Sequence, residues 1–203
     1  VNANAPGPQL YLIRHGETEW SRSGQHTGRT DIPLTSHGED QARALLPWLR
    51  GIAFTAALTS PRQRARTTCA LAGLGAEARI EPDLAEWDYG DYEGLRSEEI
   101  RKKQPGWTVF HDGCPNGETA AGISDRADRL IARLLAMTGN VALFSHGHFG
   151  PVLAARWIGL PVIEARHLLL EPASLSILGY NPSHPEVRVI SLWNASPNHP
   201  PSG

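Results

Sequence analysis

Cysteine is scarce in this 203-residue chain: there are two, Cys69 and Cys114, and neither sits in a CxxC pair. Two thiols cannot build a disulfide framework, so a free-thiol protein of a reducing cytoplasm is expected. Long apolar runs are also missing. No stretch approaches the roughly 20 apolar residues needed to span a bilayer. Residues 1–8 carry neither a basic nor an apolar leader segment. Net charge is small as well, with 19 basic and 21 acidic side chains leaving −2. That balance gives no electrostatic reason to expect nucleic acid or an anionic membrane as a partner. Positive charge that matters must therefore be local. A soluble, cytoplasmic protein is the expectation.

A chain of this length fits one domain burying roughly 70% of its unfolded surface. Only its end looks loose: Pro197, Pro200 and Pro201 predict a flexible tail over 194–203, leaving a single domain over 1–193. Within it, short apolar runs alternate with longer helical patterns. Leu10-Tyr11-Leu12-Ile13, Ala56-Ala57-Leu58-Thr59 and Val141-Ala142-Leu143-Phe144 read as strands, and so do Leu175 to Tyr180 and Val187 to Leu192. A helix is predicted after Thr35, with Leu45, Leu46 and Leu49 on one face, Glu39 helping to cap it and Gly51 just past its end. Others are predicted from Arg62 to Ala72, from Thr119 to Met137 (apolar side Ile123, Leu130, Ile131, Leu134, Leu135) and through Val152, Leu153, Ala155 and Trp157. The alternation makes the class α/β with a largely parallel sheet. In such sheets ligands bind beyond the carboxyl ends of the strands.

Three polar clusters follow predicted strands. They are Arg14-His15-Gly16-Glu17-Thr18, Ser60-Pro61-Arg62-Gln63-Arg64 and Ser145-His146-Gly147-His148. Parallel neighbours would open all three on one edge, gathering two histidines and up to three arginines. Cations packed so closely repel and desolvate poorly unless an anion joins them. A tetrahedral phosphate suits arginine forks and helix N-termini. A histidine in that cage can attack phosphorus, and His15 is favoured because Gly16 permits close approach. Its other ring nitrogen should donate to a backbone carbonyl. Fixed positive charge then does the work that magnesium does elsewhere, and a carboxyl group must protonate the leaving alkoxide.

The run from Leu12 to Trp20 resembles the signature of the histidine phosphatase superfamily, the phosphoglycerate mutase-like proteins. Further matches follow in order: Thr27-Gly28 with Asp31, Pro33-Leu34-Thr35 and Gly38; Ser60-Pro61 with Arg64-Ala65 and Thr68; Leu84, Glu86, Gly90 and Glu93-Gly94; and Ser145-His146-Gly147. The resemblance implies a three-layer αβα sandwich around a mostly parallel sheet. It implies His15 as the phosphorylated residue, Arg14, Arg64 and His146 as the rest of the phosphate pocket, and Glu86 as proton donor and then base. Ser21, Thr27 and Gly28 fall where the family makes further phosphate or substrate contacts. Ser21 stands where many members have asparagine, so its contact is the weaker one. The resemblance implies no metal, no cofactor, a small phosphorylated substrate and a homodimer.

Neighbouring residues have plainer readings beside these. Arg62 and Arg66 are expected to face solvent or acidic neighbours. His148 could join His15 and His146 around a metal, but the arginines argue against a cation, and a place at the substrate rim fits better. Tyr89, Trp87 and His26 could shape the pocket mouth. Glu118 and Thr119 could start the long helix or sit at the active-site rim. A mutase must keep water from the phosphohistidine, yet Glu86 and His146 are only 60 positions apart, leaving little chain for a cover. Hydrolysis is therefore favoured over phosphoglycerate mutation, and both over a non-catalytic phosphate-binding module. Within the family the chain resembles short bacterial acid phosphatases and the sedoheptulose bisphosphatase-like branch. Phe149-Gly150-Pro151 stands where the latter usually carries an arginine for a second phosphate. A broad-specificity acid phosphatase is the expectation.

Overall fold

Along β1 (Gln9–Arg14), alternate side chains enter two different cores. Leu10 and Leu12 pack on one face of the sheet, with Val141 and Leu143, against the long helices; Tyr11 and Ile13 pack on the other with Ala142 and Phe144. A strand buried on both faces needs a helical layer on each side, and that fixes a three-layer arrangement. The computed structural model describes residues 7–196.

The remaining strands are β2 (Phe54–Thr59), β3 (Ala78–Ile80), β4 (Asn140–Ser145), β5 (Leu175–Tyr180) and β6 (Arg188–Ala195). They form a six-stranded sheet in the order β3-β2-β4-β1-β5-β6. The first four in that order run parallel, while β5 lies antiparallel to β1 and β6 antiparallel to β5. The helices are α1 (Glu19–Ser23), α2 (Ser36–Ala44), α3 (Leu46–Leu49), α4 (Gln63–Leu71), α5 (Ser97–Lys103), α6 (Val109–Asp112), α7 (Ala120–Leu134) and α8 (Phe149–Trp157). Among the described residues no helix is long and apolar enough to cross a membrane.

Several sequence expectations change in detail. The helix after Thr35 is two helices, because Pro47 cannot donate to an α2 that continues, and it opens α3 instead. Leu45 and Leu49 are buried, but Leu46 is exposed. Thr35 caps α2 by accepting from the Gly38 N–H, while Glu39 pairs with Arg43. In α7, Ile123, Ala127, Leu130, Ile131 and Leu134 form the buried stripe, and Leu135 lies outside it. Thr119 caps α7 through the Gly122 N–H. The edge strand β3 was not anticipated. Strand β6 takes in Asn194 and Ala195, where the tail was expected to begin, because Ala195 pairs with Leu175. The remainder of that tail, 197–203, lies outside the described residues.

Candidate active site

Strand register brings the three polar clusters together. Arg14 is the partner of Ser145 across β1 and β4, so the residues that follow, His15 and His146, become neighbours with ring centroids 5.1 Å apart. Thr59 is the partner of Phe144 across β2 and β4, which sets Ser60 beside them. His146 Nε2 and Ser60 Oγ share a hydrogen bond of 2.6 Å. His15 is held by its backbone: its N–H donates to Ser145 O, and its carbonyl accepts from Ala173 N–H.

The His15 ring is oriented too. Nδ1 donates to Gly16 O at 2.7 Å, so in the neutral ring Nε2 carries the lone pair. Burial, then the charges of Arg64 and Arg14, hold His15 well below its ordinary value of 6.5. His146 is lowered in the same way, by burial and then Arg64. Both rings are neutral near pH 7. Gly16 permits the close backbone approach that was expected of it. A Cβ there would lie 2.2 Å from Gly38 O, so the glycine admits the Gly38 backbone.

Arg64 is fully buried and aimed by the loop over 27–30. Nη1 donates to Thr30 O, and Nη2 to Thr27 O and Gly28 O. Glu93 holds that loop in turn, accepting from the N–H groups of Gly28 and Thr30. Arg14 donates through Nη1 to Leu170 O. What remains is a set of buried nitrogens with no partner among the described residues: Arg14 Nε, Arg64 Nε and His146 Nδ1, with Arg62 Nε as a fourth. Buried donors are costly unless matched, and a tetrahedral oxyanion is the ligand such a set suits.

The Glu86 carboxyl group is held by three backbone donors. Oε1 accepts from Trp87 N–H at 2.9 Å and Phe149 N–H at 2.8 Å, and Oε2 from His148 N–H at 3.0 Å. A cavity of about 280 Å³ opens above these groups, lined by Arg14, His15, Ser21, Thr27, Glu86 and Tyr89 among others. Residues 10–193 match the profile of the histidine phosphatase superfamily (branch 1).

The chain belongs to the histidine phosphatase superfamily.

With relatives named as phosphatases, it is a phosphoric monoester hydrolase. A curated acid phosphatase of Mycobacterium tuberculosis is 40% identical over 188 residues, covering 91% of this chain and 92% of the relative. A sedoheptulose 1,7-bisphosphatase of Saccharomyces cerevisiae is 41% identical over 187 residues, covering 76% of this chain and 69% of the relative. Among solved structures, an open reading frame product of Mycobacterium tuberculosis superposes with a TM-score of 0.87 at 37% identity, covering 96% of this chain and 99% of that one.

In this histidine phosphatase the residues expected at the site do not all touch the cavity. Arg14, His15, Ser21, Thr27, Glu86 and Tyr89 line it. Arg64 and His146 are fully buried outside that lining, next to His15. Gly28 is also outside it, because its N–H is taken by Glu93 and its carbonyl by Arg64. Ser21 has its hydroxyl engaged in the capping box of α1, donating to Thr18 O and accepting from Thr18 N–H. Trp87 is fully buried, its indole donating to Glu118 O, and does not reach the mouth. Arg66 is exposed as expected, whereas Arg62 is half-buried with its Nε unmatched.

Two further groups complete the rim, and His26, Tyr89 and His148 stand there as expected. Gly24 and Ser97 line the cavity without a distinctive sequence signal, while Gly147 lines it from the Ser145-His146-Gly147 motif. His26 and His148 form its aromatic wall with Tyr89: His26 stacks on Tyr89 at 4.7 Å, and Tyr89 Oη lies 2.5 Å from His148 Nδ1. Burial pushes both histidines down to about 4, with His148 adding to the effect on His26 and Arg14 to that on His148. His148 is thus bound to Tyr89 rather than gathered with His15 and His146. No cluster of three or more His, Cys, Asp or Glu suited to a metal occurs among the described residues.

Proposed function

We propose that this chain is a metal-independent, broad-specificity acid phosphatase working through a phosphohistidine on Nε2 of His15. The observation that carries the reading is the directed His15 ring. Its Nδ1–H is spent on Gly16 O, beside unmatched donors on Arg14 and Arg64 and the unmatched Nδ1 of His146. In the first step Nε2 forms a bond to phosphorus while the ester P–O bond breaks, and Glu86 protonates the departing alkoxide. In the second, water attacks phosphorus, Glu86 takes its proton, and His15 is released with inorganic phosphate. Oε1 of Glu86 already accepts two N–H groups and Oε2 only one, which points to Oε2 as the atom that carries the proton. Fixed donors around the phosphoryl oxygens supply the main stabilisation of the transition state.

A wall of His26, Tyr89 and His148 is neutral near pH 7, and Arg14 is the only arginine or lysine among the described cavity-lining residues. This favours substrates with one phosphate and an uncharged alcohol over a bisphosphorylated sugar. Residues between Glu86 and His146 are used in α5, α6, α7 and their turns, which supports hydrolysis over mutation. The two unpaired thiols are consistent with action in the cytoplasm. The test is aryl phosphate hydrolysis in excess chelator, with trapping of acid-labile, base-stable phosphate on the protein. Wild type should turn over and trap phosphate, and His15→Ala should do neither. Activity lost on adding chelator, or near-wild-type turnover by His15→Ala, would overturn the mechanism. Interconversion of phosphoglycerates faster than their hydrolysis would make the chain a mutase.

A further inference from the structure

Arg126 lies on α7, outside the cavity lining and at the flank of the helix's buried stripe. Only 11% of its side chain is exposed. All three guanidinium nitrogens are engaged. Nη1 donates to Asp83 O at 2.8 Å and Ala85 O at 2.7 Å, and Nη2 reaches Glu86 O at 3.3 Å. Nε and Nη2 form a bidentate pair with Glu118 at 2.8 and 2.7 Å. The guanidinium also lies over the Phe149 ring, 4.3 Å from its centroid. Phe149 is the residue whose N–H donates to Glu86 Oε1.

We propose that Arg126 is a positioning residue for Glu86, fixing the proton donor through its backbone and through Phe149. The inference rests on the reading of Glu86 as the acid. Carbonyls 83, 85 and 86 belong to the turn that delivers Glu86, and one planar, always-charged fork binds all of them. Lysine has a single ammonium and cannot span those acceptors and both Glu118 oxygens. Glu118 keeps the buried guanidinium compensated, which makes the pair one unit. Displacing a catalytic group by about 1 Å costs about 10²-fold, so loosening this turn should be felt in proton donation.

The discriminating measurement is the dependence of kcat/KM on the leaving group, over aryl phosphates graded from phenol to dinitrophenol. This ratio reports phosphoryl transfer to His15 and is blind to the later hydrolysis. Poor leaving groups need the proton and good ones do not. Glu86→Gln should lose about 10²–10⁴-fold on phenyl phosphate, the range of general acid catalysis, and little on the dinitrophenyl ester. Arg126→Met should show the same steepening at about 10–10²-fold, with Arg126→Lys recovering little of it. A uniform loss across the series in Arg126→Met, with the wild-type slope kept, would mean that Arg126 only supports the fold and would overturn the inference. A wild-type slope in Glu86→Gln would instead remove Glu86 as the acid, a separate failure. Should Arg126→Met not fold, Glu118→Gln carries the same comparison, since it keeps the shape and weakens the grip on Arg126.

Discussion

Replacing His26 by phenylalanine should make the protein more resistant to acid. His26 is buried between Tyr89, on which it stacks, and Trp107, and its Nε2 meets Ser97 Oγ at 3.3 Å. Burial first, and His148 second, bring it down from 6.5 to about 4. The folded state therefore binds fewer protons than the unfolded state between those values. Stability from this group is complete above pH 6.5 and is lost as pH falls towards about 4. At 1.36 kcal/mol per pH unit, going from pH 7.5 to 4.5 should cost about 2–3 kcal/mol through His26. That is a large share of a typical stability of about 5–15 kcal/mol. Phenylalanine keeps the stacked ring and has nothing to protonate, while Ser97, half-buried, can turn to water. Urea unfolding at the two pH values, followed by tryptophan fluorescence, gives the comparison. Wild type should lose about 2–3 kcal/mol more than His26→Phe over this interval. Equal losses in the two proteins would refute the assignment of a neutral, proton-resistant His26.

Other expectations follow from packing. In Gly16→Ala the new Cβ meets Gly38 O at 2.2 Å, with backbone on both sides of the clash. Forcing a group into packed space costs about 1–3 kcal/mol, or ~2–12 °C in Tm at this size. Hydrolysis should fall further than stability suggests, because His15 moves with its neighbour; unchanged kcat/KM and Tm would contradict the packing. Cys69 and Cys114 are buried, and burial pushes both thiols up to about 12. At pH 8 an aromatic disulfide reagent should leave the native thiols unlabelled and react fully once urea is added. Rapid labelling of the native protein would show that the thiols are accessible.

Much of this architecture is legible from side-chain pattern alone. The strands β1, β2 and β4 appear as apolar runs because both of their faces are covered, and α7 appears through its stripe. Strand β3 does not, since Ala78, Arg79 and Ile80 form a three-residue edge with Arg79 and Ile80 exposed. The antiparallel direction of β5 and β6 is set by pairing, which no local pattern encodes. The leucine spacing runs straight across Pro47, so the break between α2 and α3 does not show in the apolar pattern. At the site, His15, Arg14, Glu86 and His146 stand out because motifs mark them. Their supports do not stand out. Glu93 appears in a motif, yet its work on Gly28 and Thr30 depends on a fold that joins residues 63 and 65 positions apart. Arg126 has no signal at all until the turn carrying Glu86 packs beneath it.

The Glu93 contact has a consequence for how this enzyme fails. Arg64 is aimed by carbonyls of residues 27–30, and that loop is held in shape by a carboxylate from a third, distant segment. These parts come from segments 34 to 65 positions apart in sequence and meet only when those segments pack together. Catalysis is therefore a property of the last stage of assembly. On gentle heating, turnover should disappear while helicity is still nearly intact, which makes hydrolysis a sharper gauge of tertiary order than circular dichroism.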